Sequence, residues 1–443
     1  MTTRPLALKE YNRVVLEALF QPISRPYWAL VGLVALGVGW GAFVWGYQIC
    51  AGMGVIGINH PIGWGTYIAN FVFWIGIGHA GTLISAILYL FRVRWRNAIY
   101  RSAEAMTVFA VMTAALFPLI HLGRVWVFWF ILPYPNQRYL WPAFKSPLVW
   151  DVLAVSTYLT ISILFWYSGL IPDLAAARDH STGRRHRVYR FFALGWTGEN
   201  DQWRHYLRGY ACLAALATPL VISVHSVVSW DFAMSLLPGW HSTIFAPYFV
   251  AGAIHSGLAM VIMLLIPMRR YLHLKTAIRV AHLEQAAMLM ILTGAIMGYA
   301  YAMELFTAWY GGDVFERQRA VWVLTGGYAW MYWTMWFCNA IAPLFFFNRK
   351  VRTNLVSLFG ISFLVLAGMW FERWFIVVSA TAHDFMPENW SGYHPTWAEV
   401  SISLASMCFF LLFFLLYARY VPVMSIAESK EPQVEHEAQA VGL

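Results

Sequence analysis

Long apolar runs with few charges constrain this chain more than any other feature of its sequence. Of its 443 residues, 60% are hydrophobic and only 12% are charged. A run of about 20 apolar residues can cross a bilayer as a helix, and soluble domains do not contain many such runs. Membrane strands are disfavoured because the runs are continuous rather than alternating. We predict ten spans, at residues 28–50, 64–91, 103–131, 147–171, 206–236, 245–268, 284–310, 320–347, 354–380 and 398–420.

The positions of the basic residues predict the orientation of the chain. In the loops and flanking segments, 23 Lys and Arg residues fall on the side of the two termini and four fall on the other side. Loops rich in Lys and Arg stay in the cytoplasm, so we predict that both termini are cytoplasmic. The net charge of +9 therefore indicates orientation rather than nucleic-acid binding. We expect no signal peptide, because segment 1–27 lacks an apolar core followed by a small-residue cleavage site.

An internal repeat divides the spans into two groups. FWIGIGHAGTLISAILYL (73–90) resembles YFVAGAIHSGLAMVIMLL (248–265), which aligns His79 with His255. Each group has four spans, so the two repeats share one orientation. Identity between them is low, and chance similarity is the alternative. We predict an all-α integral membrane protein with two parallel four-helix bundles, 62–237 (spans 2–5) and 244–380 (spans 6–9). Two peripheral helices, 28–50 and 396–420, lie outside the bundles. Segment 1–27 is predicted to be cytoplasmic, and residues 421–443 are predicted to form a disordered cytoplasmic tail.

Titratable side chains at the outer ends of three consecutive spans form the candidate site. His121 and Arg124 lie three residues apart and share one helix face, near Pro118, which can kink the span. Asp151 lies near the start of the next span and Asp231 near the end of the one after it. A lone charge in hydrocarbon costs roughly 3 kcal/mol on insertion scales, so these groups should face the protein interior. The alternative is a structural ion pair of Arg124, but two acids and a histidine exceed what one arginine needs.

A second set of titratable residues lies within or at the ends of the predicted spans. It is either a polar path for protons or a set of contacts between helices. Glu372 and Arg373 are adjacent in the sequence, so we expect them to point in different directions and to have separate partners. The complete set is His225, His255, Glu304, Glu372, Arg373, Glu104 and Glu284.

The sequence indicates no metal site in this chain. Its cysteines are isolated in four different spans, without the close spacing of iron–sulfur ligands, and we expect them to be small buried residues. Any metal cluster would therefore belong to a partner. The histidines of the spans lie on different helices, which disfavours the two stacked haems of a cytochrome b; one haem held between two helices is the alternative. The cysteines are Cys50, Cys212, Cys338 and Cys408.

Two motifs resemble the NrfD/PsrC family of quinone-interacting membrane subunits. They are YIANFVFWIGIGHAGTLISAILYLFRVRWRNAIYRSAEAMTVF (67–109) and the spacing from HLGR (121–124) to WD (150–151). The likeness covers about residues 25–420 and is closest to the ActC component of bacterial alternative complex III. It implies a multi-pass subunit of the bacterial inner membrane, without haem or metal, that oxidises menaquinol or ubiquinol near the periplasmic face.

The resemblance also implies roles for particular residues. His121, Asp151 and Asp231 match the positions proposed for the family's quinol site, and we assign them as catalytic residues. Arg124 and His79 join them in the predicted quinone-binding set. We expect Asp151 or Asp231, together with His121, to accept the quinol protons. Arg124 would stabilise negative charge that develops on the quinol oxygen.

The partners implied are an ActB-like iron–sulfur protein, c-type cytochrome subunits and a paralogous ActF-like membrane subunit, with clusters and haems in those partners. Two alternatives are an ActF-like structural or proton-conducting subunit and a quinone anchor of the polysulfide- or nitrite-reductase type. A third, a secondary transporter, predicts helices broken by Gly or Pro at matching positions of both repeats. Pro118 and Pro219 fall in the first half, and we identify no counterparts in the second.

Overall fold

The computed structural model describes residues 8–22, 24–132 and 146–426, and over these ranges it is helical, as predicted. Nine of the described helices are long and apolar enough to cross a membrane, which confirms the all-α membrane fold. The α-helices are α1 Leu8–Phe20, α2 Arg25–Ala51, α3 Thr66–Thr82, α4 Leu88–Leu90, α5 Tyr100–His121, α6 Pro147–Asp179, α7 Gly183–Phe192, α8 Asn200–Ala233, α9 Phe245–Tyr271, α10 Val280–Tyr310, α11 Val314–Thr325, α12 Ala329–Trp336, α13 Arg349–Arg352, α14 Leu355–Ala382 and α15 Trp397–Tyr420.

Shorter elements connect several of these helices. A π-helical turn, Leu83–Ile87, joins α3 to α4, so that this span runs from Thr66 to Leu90. A second π-helical turn, Phe337–Ile341, follows α12. The 3₁₀ segments are Met53–Val55, Arg94–Ala98, Val125–Ile131, Ala342–Phe347 and Pro387–Asn389. Residues 1–7 of the predicted N-terminal segment and 427–443 of the predicted tail lie outside the described residues.

The span predicted at 320–347 is broken, and the prediction of one continuous helix there was wrong. Its α-helices α11 and α12 are separated at Gly326 and Gly327, and it continues as the π-helical turn and a 3₁₀ segment. Two consecutive glycines lose the most backbone freedom in a helix, which makes this a favoured place for the helix to end. The second half therefore contains a broken helix, but its break does not align with Pro118 or Pro219 of the first half.

The span predicted at 103–131 is shorter than expected. Helix α5 ends at His121, and Gly123 then adopts a left-handed conformation with φ of 69°. Glycine is the usual residue just past a helix end because it has no Cβ to clash in this conformation. The chain continues as the 3₁₀ segment Val125–Ile131, so the prediction of an α-helix beyond His121 was wrong.

Helices α3, α9 and α14 form the centre of the packing. Helix α3 packs against α5 and α9, helix α9 also packs against α8, α10 and α14, and α6 packs along α8. At the α3–α9 contact, a Cβ on Gly257 would lie 2.9 Å from the Ile77 carbonyl oxygen. A small residue is therefore needed for the two backbones to approach this closely. Helix α2 packs on α15 at the edge, and the division into two repeats stays a prediction.

The two ends of the helix assembly differ in charge. The end at which α5, α8, α10 and α14 begin carries Arg101, Arg178, Arg269 and Arg352, and we call it the basic end. Residues 421–426, which we predicted as the start of the disordered tail, pack against the basic end. The Ile426 amide donates a 2.9 Å hydrogen bond to buried Asp173. The opposite end carries the start of α6 and the end of α8.

A buried carboxylate holds the loops together at the opposite end. Glu399 accepts hydrogen bonds from the Gly57 amide at 2.7 Å, the Thr396 amide at 3.0 Å and the Tyr393 hydroxyl. Burial, together with the charge of Glu399, raises the pKa of Tyr393, so the phenol keeps its proton and donates it in this contact. The Thr66 amide in turn donates to the Tyr393 oxygen at 2.9 Å, which fixes the start of α3.

The cysteines are free thiols, and their positions differ in part from the expectation. Cys338 is buried and Cys408 half-buried, but Cys50 and Cys212 are exposed, so the expectation of burial was wrong for these two. A membrane helix is apolar on its lipid-facing side as well as on its protein-facing side, so composition alone does not separate the two faces. Among the described residues, no group of three or more His, Cys, Asp or Glu side chains is placed to hold a metal ion.

Candidate functional site

Two neighbouring helices each present a Trp–Asp pair at the end opposite the basic end. Asp151 lies near the start of α6 and is 7% exposed, and Asp231 lies near the end of α8 and is half-buried. Their carboxyl groups are within hydrogen-bonding reach of each other, while Trp150 and Trp230 pack edge to face with ring centroids 6.0 Å apart. A hydrogen bond between two carboxyl groups requires a proton on one of them. The pair is therefore suited to hold and exchange a proton.

Asp151, Asp231 and His121 each have a buried polar atom that could bind a further molecule. The Oδ1 atoms of Asp151 and Asp231, and Nδ1 of His121, are buried and have no hydrogen-bond partner among the described residues. Buried polar atoms without partners are costly, and in native proteins they usually bind water or a ligand. The sequence prediction that these three residues carry the chemistry stays a prediction.

His121 is the last residue of α5, and the end of that helix is held by a side chain that the sequence analysis did not identify. Gln48 of α2 donates a 3.0 Å hydrogen bond to the Ile120 carbonyl oxygen. Its own oxygen accepts a 2.7 Å hydrogen bond from the Tyr67 hydroxyl of α3. This chain of hydrogen bonds fixes the position of the His121 backbone relative to two other helices.

Arg124 lies at the same end of the protein but is exposed to the surroundings. Within the described ranges it forms no ion pair with Asp151 or Asp231, so the structural ion pair considered from the sequence is not found there. The 3₁₀ segment Val125–Ile131 that follows it packs against both α5 and α6. Arg124 therefore lies exposed at the same end of the protein as the carboxyl pair.

His79 lies in a deeper layer than the two carboxylates. Its ring stacks on Tyr158 with centroids 4.9 Å apart and lies 4.5 Å from the ring of His225. Tyr158 lies seven residues beyond Asp151 along α6, which at 1.5 Å per residue is about 10 Å. His79 is therefore grouped with His225, and the predicted contact of His79 with the same quinone ring receives no direct support from this geometry.

A buried polar cluster occupies the middle of the second group of helices. Arg373 lies 3.1 Å from the Glu372 carboxylate, so the expectation that these neighbours have separate partners was wrong. The arginine side chain is long, and its guanidinium packs over the Phe249 ring at 4.2 Å, which brings it back beside Glu372. Glu372 also accepts hydrogen bonds from the Tyr301 hydroxyl and, at 3.2 Å, from the Asn339 amide.

Several ring nitrogens near this cluster have no hydrogen-bond partner in the part of the chain that the structure describes. His255 shares a 2.7 Å hydrogen bond with Thr293 through Nδ1, but its Nε2 is unpaired among the described residues. The same is true of Nε2 of His79 and of both ring nitrogens of His225. Buried groups of this kind commonly bind internal water. The layer between the two groups of helices is thus polar and suited to proton transfer.

Glu104, predicted as part of the proton path, has a strong structural partner at the basic end. It lies 2.8 Å from Arg101, which also lies 3.0 Å from Asp173, and all three side chains are at most 2% exposed. The Tyr210 hydroxyl donates a further 2.7 Å hydrogen bond to Glu104. This cluster ties together the ends of α5, α6 and α8.

The remaining acids of the predicted path also have cationic partners. Glu284 is ion-paired with Arg352 at 2.9 Å at the basic end. Glu304 lies 3.7 Å from Arg319, which donates a 3.0 Å hydrogen bond to buried Ser379. The path therefore has titratable groups at several depths, and its acids are partly committed to ion pairs.

Several of the residues that the sequence analysis missed are uncharged polar side chains. Tyr158, Tyr301, Asn339 and Gln48 all bridge helices through buried hydrogen bonds. For Gln48 and Asn339 the sequence does contain a signal, because burying an amide side chain within an apolar run is costly unless the amide is hydrogen-bonded. The π-helical turn that orients Asn339 has no such signal in the sequence.

The chain matches a known family and several relatives. The family model described as "Polysulphide reductase, NrfD" matches residues 54–383. The chain is 26% identical to a protein of Halobacterium salinarum named as a dimethyl sulfoxide reductase membrane subunit, over 94% of this chain and 95% of the relative. It is 21% identical to the "Menaquinone reductase, integral membrane subunit" of Nitratidesulfovibrio vulgaris, over 87% and 89%. It is 23% identical to the "Hdr-like menaquinol oxidoreductase integral membrane subunit" of Archaeoglobus fulgidus, over 84% and 83%.

Proposed function

Because this chain belongs to the NrfD family, we propose that it binds and oxidises quinol as the membrane subunit of an electron-transfer complex. The observation that carries the proposal is the pair of carboxyl groups, Asp151 and Asp231, with an unpartnered oxygen on each. The relatives support it, since their names describe membrane subunits of redox complexes and two of these names refer to menaquinone or menaquinol.

The arrangement supplies what quinol oxidation requires of a protein. Oxidation of a quinol to a quinone releases two electrons and two protons, and a base within hydrogen-bonding reach accelerates each proton transfer. Asp151, Asp231 and His121 provide three such groups at one end of the helices. Arg124, exposed at the same end, stabilises negative charge on the quinol oxygen as its proton leaves. The second proton is accepted by the group of this set that is still unprotonated.

The electrons must leave through a partner, since this chain is proposed to contain no redox centre. We infer an iron–sulfur protein of the ActB type as the first acceptor, followed by c-type cytochromes, as in alternative complex III. The excess of basic residues at the opposite end indicates that the site faces the periplasm of a bacterial inner membrane, with both termini in the cytoplasm. Protons from the quinol are then released on the periplasmic side.

The transporter alternative is less well supported by the helix geometry. Transporters of this kind are expected to have broken helices at matching positions of both repeats. The predicted span 320–347 is broken at Gly326 and Gly327, but its counterpart in the first repeat, α6, is continuous from Pro147 to Asp179. The test of the main proposal is quinol oxidation by the assembled complex when the carboxyl groups are replaced.

We further propose that the polar layer from His225 to Glu372 conducts protons during turnover. Replacing Glu372 with Gln should leave quinol oxidation running while lowering the number of protons moved per electron, because an amide cannot take up a proton. The measurement is pH-dye fluorescence in proteoliposomes that contain the purified complex. The exposed Glu388→Gln variant is the matched control and should behave as wild type.

The Glu372→Gln change also removes the partner of buried Arg373, so assembly must be checked. The double variant Glu372→Gln/Arg373→Met removes both charges and should fold more stably than the single variant. Proton movement should still be low in this double variant. An unchanged ratio of protons to electrons in both variants contradicts the proton path and leaves Glu372 as a contact between helices.

A further inference from the structure

A deep apolar groove lies beside the peripheral helix pair α2 and α15, between these two helices and the central helices. Its volume is about 750 Å³, and its walls come from α2, α3, α9, α14 and α15. On α15 the lining runs from Val400 to Ala418, which at 1.5 Å per residue is about 27 Å. None of the described residues that line it belongs to α5, α6 or α8, so the groove is separate from the carboxylate site.

The polar side chains at the floor of the groove are hydrogen-bonded to other protein atoms in the part of the chain that the structure describes. Trp370 donates a 2.8 Å hydrogen bond to Asn70, and Asn70 donates one of 2.7 Å to Ser403. Trp74 donates a 3.1 Å hydrogen bond to Ser406. The polar atoms of the floor therefore satisfy one another. Thr66, which also lines the groove, is hydrogen-bonded to the Tyr393 hydroxyl at 3.0 Å, and the other lining residues are aliphatic, aromatic or methionine. Such a surface binds hydrocarbon chains and would not hold the polar ring of a quinone.

Two arginines lie close in the chain to residues that line the end of the groove nearest the basic end. Tyr27 and Tyr271 line it there, and exposed Arg25 and Arg270 lie close to them in the chain. The Arg270 guanidinium packs over the Tyr271 ring at 5.9 Å, which holds it near the mouth of the groove. Basic pockets between membrane helices on the cytoplasmic side bind the head groups of anionic lipids.

We propose that this groove is a binding site for an anionic phospholipid. The acyl chains fill the apolar groove, and the head-group phosphate lies between Arg25 and Arg270. The lipid replaces protein contacts between α2 and the central helices, since α2 packs chiefly on α15. This function is independent of quinol oxidation.

The test uses the full chain, purified in detergent with the subunits that accompany it. This complex is titrated with phosphatidylglycerol or phosphatidylcholine, and lipid binding is measured by native mass spectrometry. Wild type should bind one phosphatidylglycerol more tightly than phosphatidylcholine. Replacing both cations, Arg25→Gln/Arg270→Gln, should weaken phosphatidylglycerol binding by roughly 30-fold, the effect of two cations near a membrane surface, and leave phosphatidylcholine unaffected. Arg317→Gln, an exposed arginine at the opposite end, is the control.

A second variant tests the groove itself. Ala367 lines it, and Ala367→Trp should fill it and weaken the binding of both lipids, whereas Ala215→Trp on the exposed face of α8 should weaken neither. Size-exclusion chromatography establishes that the tryptophan variants are folded. The proposal is overturned if wild type binds the two lipids equally and the arginine changes do not alter that binding. It is also overturned if the folded Ala367→Trp variant binds both lipids as wild type does.

Discussion

Asp151→Asn should lower quinol oxidation by the assembled complex by about 100-fold or more, since a positioned acid or base typically contributes 10²- to 10⁴-fold to a rate. Asparagine keeps the shape of the side chain and its hydrogen-bonding capacity but cannot accept a proton. Asp231→Asn should have a similar effect, because the two carboxyl groups lie within hydrogen-bonding reach and act as one unit. The measurement is turnover of a short-chain menaquinol analogue with an added electron acceptor.

The same two helices supply matched controls. Asp179 is at the far end of α6 and Asp201 near the start of α8; both side chains are exposed. Their Asn variants should turn over quinol at the wild-type rate. The double variant Asp151→Asn/Asp231→Asn should be little slower than either single variant, because residues that act as a unit are not additive. Full activity of both single variants, with normal assembly, would remove the carboxyl pair from the mechanism.

Arg101→Met should lower the stability of the folded chain by roughly 3–5 kcal/mol, the usual effect of breaking a buried ion pair from one side. The substitution removes the cation that contacts both Glu104 and Asp173, whose side chains are at most 2% exposed. Methionine has a similar length, so little packing volume is lost. The measurement is the thermal unfolding midpoint in detergent, together with the yield of folded protein.

Two further variants separate the effect of charge from that of packing. Arg178→Met removes an ion pair with exposed Asp179 and should change stability by less than about 1 kcal/mol. The triple variant Arg101→Met/Glu104→Gln/Asp173→Asn removes all three charges and should recover much of the lost stability. If Arg101→Met unfolds at the wild-type temperature, the cluster does not stabilise the basic end.

The sequence predicted most of the membrane helices because hydrocarbon demands long apolar runs, and this requirement is local. It also predicted that Asp151 and Asp231 lie at one end of the protein, because the direction of each span and the position of a residue along it determine the depth of that residue in the membrane. The same reasoning failed at Gly326, because it counted apolar residues and gave no weight to the two consecutive glycines that favour a helix end there. It also failed beyond His121, because a run of apolar residues does not distinguish an α-helix from a 3₁₀ segment.

The side-chain partners were harder to predict than the helices. His79 was grouped with the carboxylates, yet it packs on Tyr158 and His225, because contacts across helices depend on rotation about each helix axis. The Glu372–Arg373 ion pair was missed because helical spacing describes where Cβ atoms point and ignores how far a long arginine side chain can turn back. Such contacts are decided by three-dimensional packing, which a single sequence does not contain.

The most direct test of the central claim is photoaffinity labelling of the purified complex with an azido-menaquinone, followed by peptide mapping. The labelled peptides should come from the end of α5, the start of α6 and the end of α8, around His121, Asp151 and Asp231. Excess unlabelled menaquinone should suppress the labelling. Labelling confined to a different subunit, or to the groove beside α15, would contradict a quinol site at the carboxyl pair of this chain.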